Sequence, residues 1–223
     1  MSGHRITVIC GHYGCGKTNL ALNLALEAAE AGEQVTLADL DIVNPYFRSS
    51  EYGPLLEEKG IRLIAPVFAG TTLDTPTLPS ALFSIFEPAA GRVFIDAGGD
   101  DAGVTALGGL SARLNAVGYE MLYVINKNRA LSQTPAECAT LLREIETASR
   151  LTATGIVNNT HLGVETTADT VLTARAFAEE TARLTGLPLL YSTAPDFAGL
   201  GERENYKIIK RYVKFPWEPG EES

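Results

Sequence analysis

A doubly wound α/β domain with a mostly parallel sheet of about seven strands is the fold class this sequence predicts, on two observations. Short β-rich apolar runs alternate with longer helical patterns from end to end, as repeated β-α-β units require. Their alternation places the runs in a mostly parallel sheet with helices on its faces. No repeat and no Pro/Gly/Ser-rich linker divides the 223 residues. Residues 1–215 therefore read as one domain and 216–223 as a flexible tail.

The elements follow in order. Strands are expected at 5–10, 34–39, 62–66, 92–96, 121–126, 153–158 and 187–192. Helices are expected at 17–31, 51–59, 104–117, 134–149, 167–185 and 201–213. The first helix carries Leu20, Leu22, Leu24, Ala25, Leu26 and Ala28 around most of its circumference, so it packs inside the protein and stops at Gly32. Residues 69–88, with three prolines, read as an irregular excursion holding one helical turn near 81–86.

A net charge of −9 argues against a nucleic-acid partner, which needs a basic face. Hydrophobic residues at 45% and charged residues at 20% exclude disorder and fibrous classes. No secretory signal precedes the first strand, so a cytoplasmic protein is expected. Three cysteines without C-x-x-C spacing give neither a disulfide framework nor a zinc site.

Directly after the first strand stands Gly11-His12-Tyr13-Gly14-Cys15-Gly16-Lys17-Thr18, the full G-x-x-x-x-G-K-[ST] pattern in its strand-loop-helix context. A P-loop NTPase fold is thereby predicted. The glycines let backbone N–H groups turn inward on phosphates at a helix N-terminus, and Asn19 follows them in the nucleotide-binding set. Lys17 is expected on the β- and γ-phosphates and Thr18 on Mg2+. Carboxylates fall at two strand ends. Asp39 and Asp41 share one side of the chain, one for a magnesium water and one for the attacking water. Asp96 opens Asp96-Ala97-Gly98-Gly99; it serves magnesium-bound water, and the Gly99 N–H senses the γ-phosphate.

With these residues the chain resembles the MinD/ParA branch of P-loop ATPases, the CobQ/CobB/MinD/ParA nucleotide-binding domains. The likeness covers most of the chain through Gly11 to Thr18, Asp39-Leu40-Asp41, Asp96 to Gly99 and Ile156-Val157-Asn158-Asn159. It implies that Asp41 positions the hydrolytic water, Asp39 supports magnesium, and Asn158 reads adenine while Thr193 to Asp196, including Pro195, close over the base. It also implies an ATP-driven switch acting on a protein client, with a homodimer as one partner. The family's signature lysine is replaced by His12, followed by Tyr13, and Arg48 is the alternative cation. A shared iron–sulfur cluster is rejected, since Cys138 alone would be a free ligand.

Two further readings accompany that one. A small-molecule kinase or ligase resembling dethiobiotin synthetase would line an acceptor pocket with His12, Tyr13, Asn44, Tyr46, Lys127 and Arg129; a nucleotide-binding accessory module for assembling another enzyme needs none. ATP is expected over GTP, because Arg129 stands where the guanine-reading N-K-x-D motif needs aspartate. The basic, aromatic stretch 207–217 is read as docking on the sheet through Ile208, Tyr212 and Phe215, in preference to a membrane contact through Trp217.

Overall fold

The computed structural model describes residues 3–40, 52–65, 80–99 and 101–213. Its strands are β1 (Ile6–Gly11), β2 (Val35–Leu40), β3 (Arg62–Ile64), β4 (Arg92–Ala97), β5 (Glu120–Ile125), β6 (Gly155–Asn158), β7 (Leu189–Pro195) and β8 (Tyr206–Ile209). The helices are α1 (Lys17–Glu30), α2 (Gly53–Glu58), α3 (Asp101–Val117), α4 (Pro135–Ser149), α5 (Ala168–Thr173) and α6 (Arg175–Thr185). The eight strands form one sheet in the order β3-β2-β4-β1-β5-β6-β7-β8, and every pairing is parallel. The chain winds outward through β2 and β3, returns to place β4 beside β1, then builds β5 to β8 on the other side. That reversal opens a crevice at the carboxyl end of β1, where ligands of such sheets bind.

The strands β1 and β2 are buried at every position because helices cover both sheet faces. On one face the core joins Val8, Ile95 and Tyr123 with Leu107, Leu110 and Leu142 from α3 and α4 and with Phe177 from α6. On the other, Ile9, Leu37 and Phe94 pack on Leu20, Leu24 and Leu26 of α1 and on Leu56 of α2. Truncating a fully buried leucine such as Leu20 would cost about 2–5 kcal/mol. Helix α1 ends at Glu30, with Gly32 following at φ 84°. Helix α4 begins with a Thr134–Glu137 capping box.

Two expectations are corrected. The helix foreseen over 167–185 is broken into α5 and α6 at Ala174. The helix foreseen over 201–213 is instead β8, in register with β7 from Ser192↔Tyr206 to Pro195↔Ile209. Tyr206, Ile208 and Ile209 suit either state by themselves, and the open edge of β7 decides for the strand. Its inward residue is Ile209, while Ile208 is 37% exposed; Tyr212 packs against the α1 core as foreseen, and Phe215 and Trp217 lie outside the described residues. The turn foreseen near 81–86 is a 3-10 helix over Ser80–Phe86. Among the described residues, no helix is long and apolar enough to cross a membrane.

Candidate functional site

The loop between β1 and α1 is shaped by three glycines at positive φ, Gly11, Gly14 and Gly16. Gly11 also has no room for a side chain, since a Cβ there would lie 2.3 Å from the Val124 carbonyl oxygen. Lys17 is only 7% exposed and folds back so that its Nζ donates to the His12 carbonyl at 3.1 Å. The loop and the first turn of α1 form the floor of a cavity that takes in Tyr13, Gly14, Gly16, Lys17, Thr18 and Asn19.

Gly99, expected as the γ-phosphate sensor, follows the end of β4 and lies against the loop. A Cβ on Gly99 would come within 2.7 Å of both the Lys17 Nζ and the Tyr13 amide nitrogen, so only glycine allows this approach. One strand over, Asp39 and Asp96 are register partners on β2 and β4, each 1% exposed. Parallel neighbours in register share a face, which brings the two carboxylates together beside the loop. Asp41, Asn44, Tyr46 and Arg48 lie outside the described residues.

The opposite wall comes from the turns after β6, β7 and β8. Asn159 donates to the Cys15 carbonyl at 2.7 Å and accepts from the Thr193 hydroxyl, bracing the phosphate loop from β6. Asn158, expected to read the base, does not line the cavity. It is 1% exposed, donates to Ser192 Oγ at 3.0 Å and accepts from the Thr160 hydroxyl at 2.7 Å. Successive side chains leave a strand on opposite sides, so Asn159 faces the loop and Asn158 does not. Pro195 lines the cavity, whereas Asp196 is exposed and accepts from the Phe197 amide at 2.9 Å; Phe197 occupies the place foreseen for it.

Ile209, Arg211 and Val213 complete this wall, held there by α1. Asn19 Nδ2 donates to the Lys210 carbonyl at 3.0 Å, and its Oδ1 accepts from the Tyr212 and Val213 amides at 2.8 and 3.2 Å. Asn23 donates to the Lys210 carbonyl and accepts its amide, both at 2.8 Å. The Asn19 side chain is therefore committed to the C-terminal segment. Nothing local in the sequence marks this clamp or the arginine it carries.

Two histidines border the site. Burial, and then Lys17, lowers His12 below the ordinary imidazole value, so it brings less positive charge to the loop than a free imidazole would. His161 is held at about 4 by burial and then by Arg129 and Arg211. The Gly163 amide donates to its Nδ1 at 3.2 Å, which puts the ring proton on Nε2, directed at Gly16. The three cysteines are buried; burial raises the thiols of Cys10 and Cys15, and that of Cys138 to about 12, so they pack as small apolar groups. Of the foreseen acceptor-pocket residues, Tyr13 and Arg129 line the cavity, and Lys127 is exposed.

No family model matches the chain, and no curated protein does. Solved structures match its fold. The signal recognition particle receptor FtsY from Elizabethkingia anophelis aligns with a TM-score of 0.57 at 17% identity, over 91% of this chain and 61% of its own. Chloroplast FtsY from Physcomitrella patens gives 0.58 at 18%, over 91% and 60%. The signal recognition particle 54 kDa protein from Aeropyrum pernix K1, solved in complex with GDP, gives 0.56 at 17%, over 86% and 42%. This chain thus spans 42% to 61% of the length of these three. With the strand-loop-helix geometry of residues 11–18 and the parallel sheet around it, the likeness establishes a P-loop NTPase fold.

Proposed function

We propose that this protein binds ATP with Mg2+ in the cavity above Gly11 to Thr18 and hydrolyses it as a nucleotide-dependent switch of the MinD/ParA type. The observation that carries the reading is the contact of Gly99 with Lys17 and Tyr13. A terminal phosphate seated between loop and lysine would meet the start of the segment after β4, so its loss would be felt there at once.

Backbone N–H groups of residues 14–18 bind the phosphates, and Lys17 exchanges the His12 carbonyl for phosphate oxygen. The Thr18 hydroxyl and the buried pair Asp39 and Asp96 suit magnesium, being all hard oxygen donors. Held by these residues, the ion would supply positive charge to offset that of the leaving phosphoryl group. Asp41 follows β2 by one residue and is assigned to orient water. A second copy of the chain or a protein client would read the segments after β2 and β4.

ATP rather than GTP is supported by Asn126, which heads the N-K-x-D-like run but is 0% exposed. Its side chain bonds the Asn128 amide at 3.0 Å and the His161 backbone at 3.4 Å, so it holds turns together instead of facing a base. The test is titration with ATP and GTP plus steady-state turnover. Lys17→Ala is expected to lose about 100-fold in ATP affinity, and Gly99→Ala to keep binding while turnover falls about tenfold or more. Equal ATP affinity in the wild type and Lys17→Ala would refute the reading.

A further inference from the structure

Arg129 reaches the phosphate loop from the turn after β5, and its guanidinium lies against Gly14: a Cβ there would stand 3.3 Å from Nε and 3.5 Å from Cζ. The Arg129 Nε is buried and has no hydrogen-bond partner among the described residues. A desolvated N–H without an acceptor is unfavourable. An anion filling the adjacent loop would answer it with a charge-assisted bond.

The turn that carries Arg129 is built to hold its position. The Arg129 amide donates to the Asn126 carbonyl and the Ser132 amide to the Arg129 carbonyl, each at 3.2 Å, and the Ser132 hydroxyl bonds the Asn126 carbonyl at 2.9 Å. Through its side chain Asn126 ties this turn to His161 on the next one. Electrostatics agree with placement for an anion. The described residues lining the cavity include Lys17, Arg129 and Arg211 and no carboxylate, in a chain whose net charge is −9. An arginine serving only solubility would project into water, where its charge is hydrated.

We infer that Arg129 is a phosphate-binding residue of this site, gripping the nucleotide's polyphosphate from outside the loop while Lys17 holds it from within, and so favouring ligands with more phosphates. The inference rests on the nucleotide reading above. Arg211, fixed by the α1 clamp, adds positive potential on the same side, and His161 presents an uncharged N–H donor between the two arginines' fields.

Titration of the full chain with ATP and with AMP, by displacement of a fluorescent ATP analogue, tests it in the wild type, Arg129→Gln and Arg129→Lys. Arg129→Gln is expected to weaken ATP about 10- to 100-fold and AMP by less than about threefold, and Arg129→Lys to recover part of the loss. If Arg129→Gln melts lower, the ratio of ATP to AMP affinity decides, because a loosened fold weakens both alike. An unchanged ratio overturns the assignment while leaving the nucleotide reading standing; a wild type that binds neither the analogue nor ATP overturns both.

Discussion

On the β1 side of the cavity every group comes from one short run, Gly11 to Thr18, with Gly99 laid against it. On the β8 side the wall is assembled from distant turns. Asn159 reaches the Cys15 carbonyl across 144 positions, and Asn19 reaches Lys210 across 191. The first side is specified by backbone conformation, which glycines and a helix start encode locally. The second is specified by amide side chains, whose partners exist only after the sheet has formed. Substitutions on the first side should therefore change ligand binding with little loss of stability. On the second side they should change both.

The largest expected effect sits on the distant wall. His161 has an ordinary value of 6.5 and is held at about 4 in the fold, with Arg129 and Arg211 as the charges that face it. Between those values the unfolded chain takes up a proton that the folded chain refuses, so stability is lost as pH falls from 6.5 toward 4. At about 1.4 kcal/mol per pH unit, the interval amounts to about 3 kcal/mol. Urea unfolding across this range should show that loss in the wild type and a markedly shallower one in His161→Gln, which cannot titrate. Parallel profiles for the two would break the comparison, since His161 would then contribute no pH dependence to folding.

Next in size is Asn159→Ala, which strands a buried carbonyl at Cys15 and a buried hydroxyl at Thr193. Unsatisfied buried groups cost about 1–3 kcal/mol each, so a loss of about 2 kcal/mol or more in unfolding free energy is expected. Because the Cys15 carbonyl belongs to the phosphate loop, ATP affinity should fall as well. Asn158→Ala sharpens the contrast: it breaks bonds to Ser192 and Thr160, so stability should drop while ATP affinity holds. Loss of affinity in both variants would mean that Asn158, too, acts on the ligand.

This division also explains how much was legible in the sequence. The loop, α1, and β2 and β4 with their strand-end carboxylates follow from a run of glycines and two apolar strands ending in aspartate, all local signals. Most of the wall did not follow. Asn158 and Asn159 are adjacent and chemically alike, and which one faces the loop depends on where β6 stops. Asp196 and Phe197 differ in the same way, one residue deciding which enters the cavity. Residues 206–209 fit strand and helix equally, and the choice was made by the free edge of β7, a feature 14 residues away in register at Ser192↔Tyr206. Arg129 was noticed as the residue that spoils a guanine motif and as a candidate lining for an acceptor pocket, but not as a neighbour of the phosphate loop, because its approach to Gly14 is a tertiary fact.

The smallest effect tests the wall at its outermost point. Asn23 sits on the half-buried side of α1 and makes two bonds to Lys210, one to the carbonyl and one from the amide, both at 2.8 Å. Each is worth about 1 kcal/mol net, while alanine's better helix propensity returns about 0.5 kcal/mol. Asn23→Ala should therefore lower global stability by only about 1.5 kcal/mol. Locally the consequence is larger in kind. Hydrogen exchange at the Lys210 amide should speed up by about fivefold or more, while the Tyr212 and Val213 amides, which Asn19 accepts, stay protected. If all three amides accelerate together, the segment that carries Arg211 detaches as one unit, and the β8 wall is then a single cooperative strap that α1 holds by Asn23. If only Lys210 responds, Asn19 alone suffices to keep the wall in place, and the anchor of the distant side is a residue of the phosphate-binding helix itself.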